Sequence, residues 1–500
     1  MALPHTDAHV RHTDTVLIDG RTLCCADIER IARGDAAVRL DDKARKRAQE
    51  AWQLAEHTAT LQPVYGRTTG VGSKRHEKVD EADARGHGLR LLRSHAAGVG
   101  PLHSPGRVRA ALAIRLNQLA AGGSGVHPGV LEALEGVLRR GVLPVVHQYG
   151  TLGTADLTAL AEITLTLAGE RPWAQGDAPP VNLSTGDALA FMSSSAVTLA
   201  GSVHAGSELR QLLRANHAVT ALSFLALGGN AEAYAATVHR ARAHPGQVHC
   251  AAEIRRLLAL DTRPAPGRRI QDPYGLRAFP QVQGPALESL DHLERVLNVE
   301  TNARAENPLV DTDEQTVFHH GHFHTAYVAT ALDQVRATVH HVAALSATLL
   351  RHLAEPAMTE LPLYLAEAQT GSSGVMILDY VAHDALARMH EAARLATLAS
   401  AVVSRGLEDH AGFASHAARL AETTVEAFRQ VLACILVVAV RALRMGAAEL
   451  PDVPARAAYE VPARAAYELA AERLPADLED RSLTEDVYSA VNLLPRLAAI

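Results

Sequence analysis

Leu287, Leu290, Leu293 and Leu297 fall three, three and four residues apart, with Glu288, Asp291, Glu294 and Arg295 between them. That spacing lays one apolar stripe along an amphipathic helix and is incompatible with a strand, whose side chains alternate every second residue. Similar stripes run through residues 42–60, 105–121, 129–140, 326–354, 376–403 and 414–446. Strand-like alternation is short, and "DTVLIDG" at 14–20 is its clearest case. The fold class is therefore mainly all-α. Glycine and proline gather at 66–72, 98–106, 122–128, 144–153, 264–284 and 371–374, loops on which chemistry can be mounted on a rigid helical frame. A boundary near 210 divides a loop-rich N-terminal part, 1–210, from a bundle of long helices, 211–500.

A chain of 500 residues buries a large core, and a formal net charge of −7 gives no broad basic field for nucleic acid or anionic membrane. The expected partner is a small molecule. Cys24, Cys25, Cys250 and Cys434 have no metal-type spacing, and the adjacent pair is awkward for a disulfide, so a reducing compartment is the simpler reading. "MALPHTDAHVRHTD" at the N-terminus lacks the apolar stretch of a signal peptide. The longest apolar run, "VLACILVVAV" at 431–440, is far shorter than the roughly 20 residues that span a bilayer. A cytoplasmic protein with a buried helix there is expected. "VPARAAYE" occurs at 453–460 and again at 461–468. Eight residues repeated once is far below a solenoid period, so this reads as a local duplication in a surface segment.

Polar residues in the loops supply acid–base groups. Tyr65 sits in "VYGRTTGVG", His95 in "LRSHAAGVG", Tyr274 and Arg277 in "QDPYGLRAFPQVQG", and Glu408 with His410 in "GLEDHAG". Tyrosine, histidine and glutamate can move protons, and arginine can grip a carboxylate with two parallel hydrogen bonds. The 27 histidines, dense in "HHGHFH" at 319–324, raise a metal, but no carboxylate or cysteine completes a ligand spacing, and none is expected.

The order of these motifs resembles the aromatic amino acid ammonia-lyase and aminomutase superfamily, histidine ammonia-lyases most of all. The resemblance runs from "DGRTLCCADIERIARGD" at 19–35 to about residue 445, through "RLNQLAAGGSGVHP" at 115–128, "ETNARAENPLV" at 300–310, "GHFH" at 321–324, "GSSGVM" at 371–376 and "LEDH" at 407–410. It implies a homotetramer of nearly all-helical subunits whose active sites draw loops from more than one chain. It also implies a prosthetic electrophile, methylideneimidazolone, made autocatalytically from Ala-Ser-Gly, which engages the substrate amine while a loop tyrosine removes a β-proton. By the same resemblance Tyr65, His95, Tyr274 and Glu408 are catalytic, while Arg277, Ser193, Gln271, Phe323 and Asn307 bind substrate.

The chain departs from that pattern in one place above all. Where the family reads like Gly-Ser-Val-Gly-Ala-Ser-Gly-Asp-Leu, this sequence has "YGTLGTADL" at 149–157, one residue short and without serine. With Asp156-Leu157 held fixed, Gly153, Thr154 and Ala155 lie over Ala-Ser-Gly. Thr154 is then the residue that must lose water, and the attacking amide belongs to Ala155, whose Cβ hinders an approach that glycine eases. With the leading glycines held fixed, the tripeptide is truncated and no electrophile forms. Ser193, in "DALAFMSSS" at 187–195, stands where an asparagine belongs, as does His322, and Leu407 stands where glutamine is common. Changes cluster on the amine-handling side, whereas Tyr65, His95, Tyr274, Arg277, Phe323 and Glu408 are retained. The expected protein is a lyase-like enzyme without the electrophile, using Tyr65 for elimination, addition, dehydration or isomerisation on a small carboxylate-bearing or aromatic substrate. Two alternatives stand: an amino acid ammonia-lyase or aminomutase with a methyl-bearing electrophile built from Gly153-Thr154-Ala155, and a non-catalytic binding or structural homologue.

Overall fold

A computed structural model describes residues 14–80, 84–260, 267–446 and 461–500. Helices dominate it, and several match the apolar stripes nearly residue for residue: Asp42–Leu61, Pro105–Ala120, Pro128–Arg140, Ala326–Ala354 and Ala414–Gly446. The stripe Leu287, Leu290, Leu293 and Leu297 is buried along helix Phe279–Glu300. The stripe at 376–403 yields a shorter helix than expected, Ile377–Ala392. Its end is built by the buried Arg336 guanidinium, which donates to the carbonyls of Ala392 and Arg394 and so satisfies groups that a further turn would have paired.

Strands are short and come in four pairs. Thr15–Ile18 lies parallel to Ala37–Leu40, in the place where "DTVLIDG" promised a strand. A hairpin, Leu309–Asp311 with Thr316–Phe318, packs Val310 and Val317 onto Ala51, Leu54 and Ala55 of helix Asp42–Leu61, with Val64 beside them.

The chain folds as two compact units, each assembled from three separate stretches of sequence. The first comprises 1–204, 294–332 and 395–419; the second comprises 205–293, 333–394 and 420–500. A single cut at 210 does not describe this division, because two later segments return to the N-terminal part. The first of them holds the hairpin just described, and the other carries residues 404–419, hydrogen-bonded to loops at 72–73 and 148–153.

The run 431–440 is buried throughout helix Ala414–Gly446. That helix and the stretch Asp187–Leu227 are long and apolar enough to cross a membrane, but 78% and 89% of their most apolar windows are covered by the protein itself, as in core helices. The first copy of "VPARAAYE" lies outside the described residues, and the second opens helix Pro462–Arg473. All four cysteines are free thiols.

Candidate active site

Stretches at 63–80, 154–157, 307–323 and 404–408 of the first unit, with helices Ala84–His95 and Asp187–Met192, line a cavity of about 1120 Å³. Tyr65, His95, Thr154, Ala155, Ser193, Asn307, Phe323 and Glu408 all line it. Eight residues singled out from sequence, spread over more than 340 positions, thus meet at one place. Gly153 immediately precedes them in the altered loop. Gln271, Tyr274 and Arg277 line a different cavity, of about 430 Å³, in the second unit, where the Arg277 guanidinium sits over the Tyr274 ring at 4.6 Å.

Tyr65 is held by its own loop. Gly66 takes φ +70°, and a Cβ there would fall 2.0 Å from Leu189 Cδ2, so only glycine lets the turn close on the cavity floor. Arg67, next along, is buried and donates to Glu56 and to the Gly125 carbonyl, anchoring the turn to the core. The Tyr65 backbone N–H donates to His319 Nε2 at 3.3 Å, and its phenolic oxygen accepts the Gly72 N–H at 2.7 Å. Burial pushes the phenol above its ordinary pKa, and the Glu408 carboxylate pushes the same way, while the Gly72 N–H and Arg75 oppose them. The net shift is upward, so Tyr65 rests protonated near neutral pH.

His95 ends helix Ala84–His95, where its Nδ1 lies 2.8 Å from the Leu91 carbonyl. A carbonyl only accepts, so Nδ1 carries the hydrogen of that bond. Glu408 follows three consecutive residues with positive φ, Ser404 to Gly406, and closes that turn by pairing with Val403. The Ser404 hydroxyl accepts the Ser73 N–H at 3.1 Å, tying the Glu408 loop to the Tyr65 loop.

The opposite feature of the site is loop 149–156, whose backbone is bound residue by residue. The Thr151 carbonyl accepts from Ser415 Oγ at 3.0 Å, the Leu152 carbonyl from the Phe413 N–H at 2.8 Å, and the Gly153 carbonyl from Thr325 Oγ1 at 2.7 Å. The buried Asp156 carboxylate accepts both the N–H and the hydroxyl of Thr198 at 2.7 Å. Thr154 and Ala155 reach the cavity, whereas Thr151 and Leu152 do not line it. Ala155 is buried and takes φ +88°, a left-handed backbone that costs an L-residue about 1–2 kcal/mol and that glycine takes without strain. Gly153, at φ +85°, lies so close to the next wall that a Cβ would come 2.7 Å from the backbone nitrogens of Phe413 and Ala414.

These residues do not fit the methylideneimidazolone. The nitrogen that would have to attack belongs to Ala155, whose Cβ is enclosed at a strained φ. The residue that would lose water is a threonine, and a Cβ at Gly153, where Ala-Ser-Gly has its alanine, would come 2.7 Å from the backbone nitrogens of Phe413 and Ala414.

Behind Ser193 lies a support that the sequence motifs did not announce. The Arg115 guanidinium, 1% exposed, donates to Glu306 at 2.7 Å and to the carbonyls of Ala190 and Phe191. Gln118, three residues on, accepts the Ser194 hydroxyl at 2.6 Å. Ser193 Oγ in turn accepts the Asn307 N–H at 3.0 Å, and Asn307 Oδ1 accepts the His320 N–H at 3.0 Å. Arg115 and Glu306 lie within "RLNQLAAGGSGVHP" and "ETNARAENPLV", but nothing in those motifs signalled that the two pair with each other. His319 opens the histidine-dense run 319–324, which the sequence raised only as a metal question, and for Thr325 the sequence held no signal beyond polar character.

Histidines near the site pair with each other. His324 Nε2 and His410 Nδ1 lie 2.9 Å apart with stacked rings, and burial, then the charge of His410, lowers the His324 pKa. Among the described residues, no group of three or more His, Cys, Asp or Glu side chains is placed to hold a metal ion.

Comparison with known proteins places this geometry. The profile of the family described as aromatic amino acid lyase matches residues 23–468. The chain belongs to the aromatic amino acid lyase family. It is 34% identical to histidine ammonia-lyase of Geobacillus kaustophilus over 432 residues, covering 83% of this chain and 85% of that protein. The crystal structure of tyrosine aminomutase from Streptomyces globisporus superposes with a TM-score of 0.89 at 27% identity, over 97% of each chain. Ergothionase of Treponema denticola shares the fold with the same TM-score at 24% identity, over 97% of this chain and all of that one. This aromatic amino acid lyase thus has the mostly helical family fold, and the relatives it matches are enzymes that act on small molecules.

Proposed function

We propose that this family member is a lyase-like enzyme that works without the methylideneimidazolone, using Tyr65 to move a proton at an α,β-carbon pair of a small carboxylate-bearing or aromatic substrate. The observation that carries this reading is Ala155: a buried residue with a Cβ, at φ +88°, in the position whose nitrogen would have to attack. The intact base side supports it, since Tyr65, His95 and Glu408 line the same cavity as the altered loop.

In the elimination direction Tyr65, as phenolate, takes the β-proton. The electrons of that C–H bond form the double bond, and a hydroxyl leaves the α-carbon as water with a proton supplied by the imidazolium form of His95. In the addition direction the same steps reverse, and the protonated phenol favoured by burial is the form that delivers a proton to carbon. The Gly72 N–H, 2.7 Å from the phenolic oxygen, stabilises the phenolate whenever it forms. Isomerisation is the elimination followed by addition of the same water in the opposite sense. The protein is read as a cytoplasmic homotetramer with active sites drawing on more than one copy, in which Arg277 anchors the substrate carboxylate.

Intact mass of the purified protein, with peptide mapping across 149–157, tests this first. An unmodified mass is expected. A deficit of two waters localised to Gly153-Thr154-Ala155 would overturn the reading and return the protein to amine elimination or amine migration.

A further inference from the structure

We propose that residues 319–325 form a strap that holds the walls of the site in register, and that His319 is the positioning residue for Tyr65, acting through an imidazole lone pair. This deepens the proposed function and rests on Tyr65 being its base. The strap joins strand Thr316–Phe318 to helix Ala326–Ala354, and hydrogen bonds tie it to four separate stretches of the first unit. His319 Nε2 accepts the Tyr65 N–H at 3.3 Å, with the two rings edge to face and their centroids 6.5 Å apart. The His320 N–H donates to Asn307 Oδ1 at 3.0 Å, and the Asn307 N–H donates in turn to Ser193 Oγ. His324 Nε2 meets the Nδ1 of His410, in the Glu408 loop, at 2.9 Å, and Thr325 Oγ1 donates to the Gly153 carbonyl at 2.7 Å. One short segment therefore reaches the base side, the Ser193 side and the altered loop, entirely within one chain.

Three of the strap's bonds need an unprotonated ring. A neutral imidazole keeps one acceptor nitrogen, whereas an imidazolium has two donors and no acceptor. His319 Nε2 accepts from Tyr65, His320 Nδ1 accepts the His322 N–H at 3.0 Å, and one of the facing nitrogens of His324 and His410 must accept from the other. Protonating His319, His320 or both members of the pair removes an acceptor on which the strap is built. His319 shares the cavity lining with Tyr65, Glu408 and Arg75. His320 faces the His322 ring and the Glu306 backbone, with His319 beside it, and His324 faces His410, next to Asp409. Burial, then the charge of His322, lowers the His320 pKa, and burial, then His410, lowers that of His324. Below about pH 6.5 these two rings take up protons in the unfolded chain before they do so in the fold, so the stability they contribute is present above that value and is lost as pH falls through their lower folded values. The strap is thus closed at neutral pH and loosens in acid.

Two variants of the full-length protein test the role of His319. His319→Gln keeps a side-chain oxygen that accepts at every pH, and His319→Leu removes the acceptor. The first readout is amide hydrogen exchange, followed by mass spectrometry on peptides that include the Tyr65 amide, between about pH 8 and about pH 5 and corrected for the intrinsic pH dependence of exchange. In the parent, protection at Tyr65 is expected to fall by about fivefold or more towards acid, the scale of one hydrogen bond. His319→Leu should lack that protection at both ends, and His319→Gln should keep it at both. The second readout is the ultraviolet titration of the Tyr65 phenol against a Tyr65→Phe blank. A Tyr65 released from the strap loses burial, so its titration should move downward in His319→Leu and stay in place in His319→Gln. Protection in the parent that does not change with pH, or a leucine variant with parental protection and parental phenol titration, overturns the proposal. The parent and the glutamine variant alone suffice for the first of these tests if the leucine variant does not fold. Neither readout needs turnover or the mass of residues 149–157, so failure here is distinct from failure of the reaction assigned above.

Discussion

The cavity has two walls built on opposite principles. The wall with Tyr65 and Glu408 is two loops, anchored to the core at Arg67 and exposed at Ser73–Lys78, that meet in the hydrogen bond from Ser73 N–H to Ser404 Oγ, and Tyr65 and Glu408 on it match the family pattern while Leu407 does not. The wall with Thr154 is a loop whose carbonyls at 151, 152 and 153 are each bound by a separate residue of the core, and its chemical groups have changed. The changes at Thr154 and Ala155 fell on a stretch whose preceding carbonyls are each held by the core. A bound backbone keeps its path when side chains are exchanged, so a threonine and an alanine can occupy positions shaped for other residues while Tyr65 still meets the same cavity.

If the base wall carries the chemistry, Tyr65→Phe removes it. Turnover should fall by about 10²–10⁴-fold, the usual contribution of a positioned acid–base group. Loss of the acceptor for the Gly72 N–H loosens the loop locally, so thermal unfolding is measured alongside and should change little. Turnover within a few-fold of the parent would transfer the role to His95 or Glu408.

The tightly held wall is tested by breaking its support. Arg115→Met leaves the Glu306 carboxylate buried, 1% exposed, without its partner, which should cost about 3–5 kcal/mol in denaturant unfolding. Adding Glu306→Leu should recover much of that loss, because the penalty lies in the stranded charge more than in the pair. A single variant of parental stability would show that Arg115 does not support the Ser193 wall.

Rewriting the altered loop gives a smaller but sharper result. Gly153→Ala places a Cβ 2.7 Å from two backbone nitrogens at φ +85°, and should destabilise the protein by about 2–4 kcal/mol through overpacking and a left-handed alanine. Thr154→Ser/Ala155→Gly has the opposite character: it removes a strained Cβ and restores a serine–glycine pair while keeping Gly153. Loss of two waters from that double variant, against none from the parent, would identify the two side chains as the barrier to cyclisation. No mass change in the double variant would place the barrier in the shortened backbone itself.

The helices were legible because burying one face of a helix writes a 3.6-residue period into the sequence, as in 105–121 and 414–446. Tyr65, His95, Asn307, Phe323 and Glu408 were legible because each sits within a short motif whose neighbours come with it. Other features leave no such trace. The end of helix Ile377–Ala392 depends on Arg336, 56 positions away from the carbonyl it binds. The binding of Gly153 by Thr325 spans 172 positions and uses a hydroxyl that any surface threonine also has. The return of 294–332 and 395–419 to the N-terminal unit is likewise a matter of long-range packing, invisible to a boundary drawn from glycine content. Nor does the order of motifs tell which residues share a cavity within one chain: Gln271, Tyr274 and Arg277 line one of their own.

The smallest effect concerns how the two loops of the base wall speak to each other. Glu408 raises the Tyr65 pKa because a carboxylate beside a phenol opposes formation of a second negative charge. Glu408→Gln removes that charge and keeps the shape, so the Tyr65 titration must move downward, towards but not below what burial and the Gly72 N–H set. Ultraviolet difference titration, with Tyr65→Phe as the blank to remove the other tyrosines, reads the shift directly. In a pH–rate profile the alkaline limb due to phenolate should move to lower pH in the same variant, since the base form then appears earlier. A titration that stays in place would mean that the loop tie between Ser73 and Ser404 does not hold Glu408 within electrostatic reach of Tyr65 in solution, and the base wall would then be two independent loops.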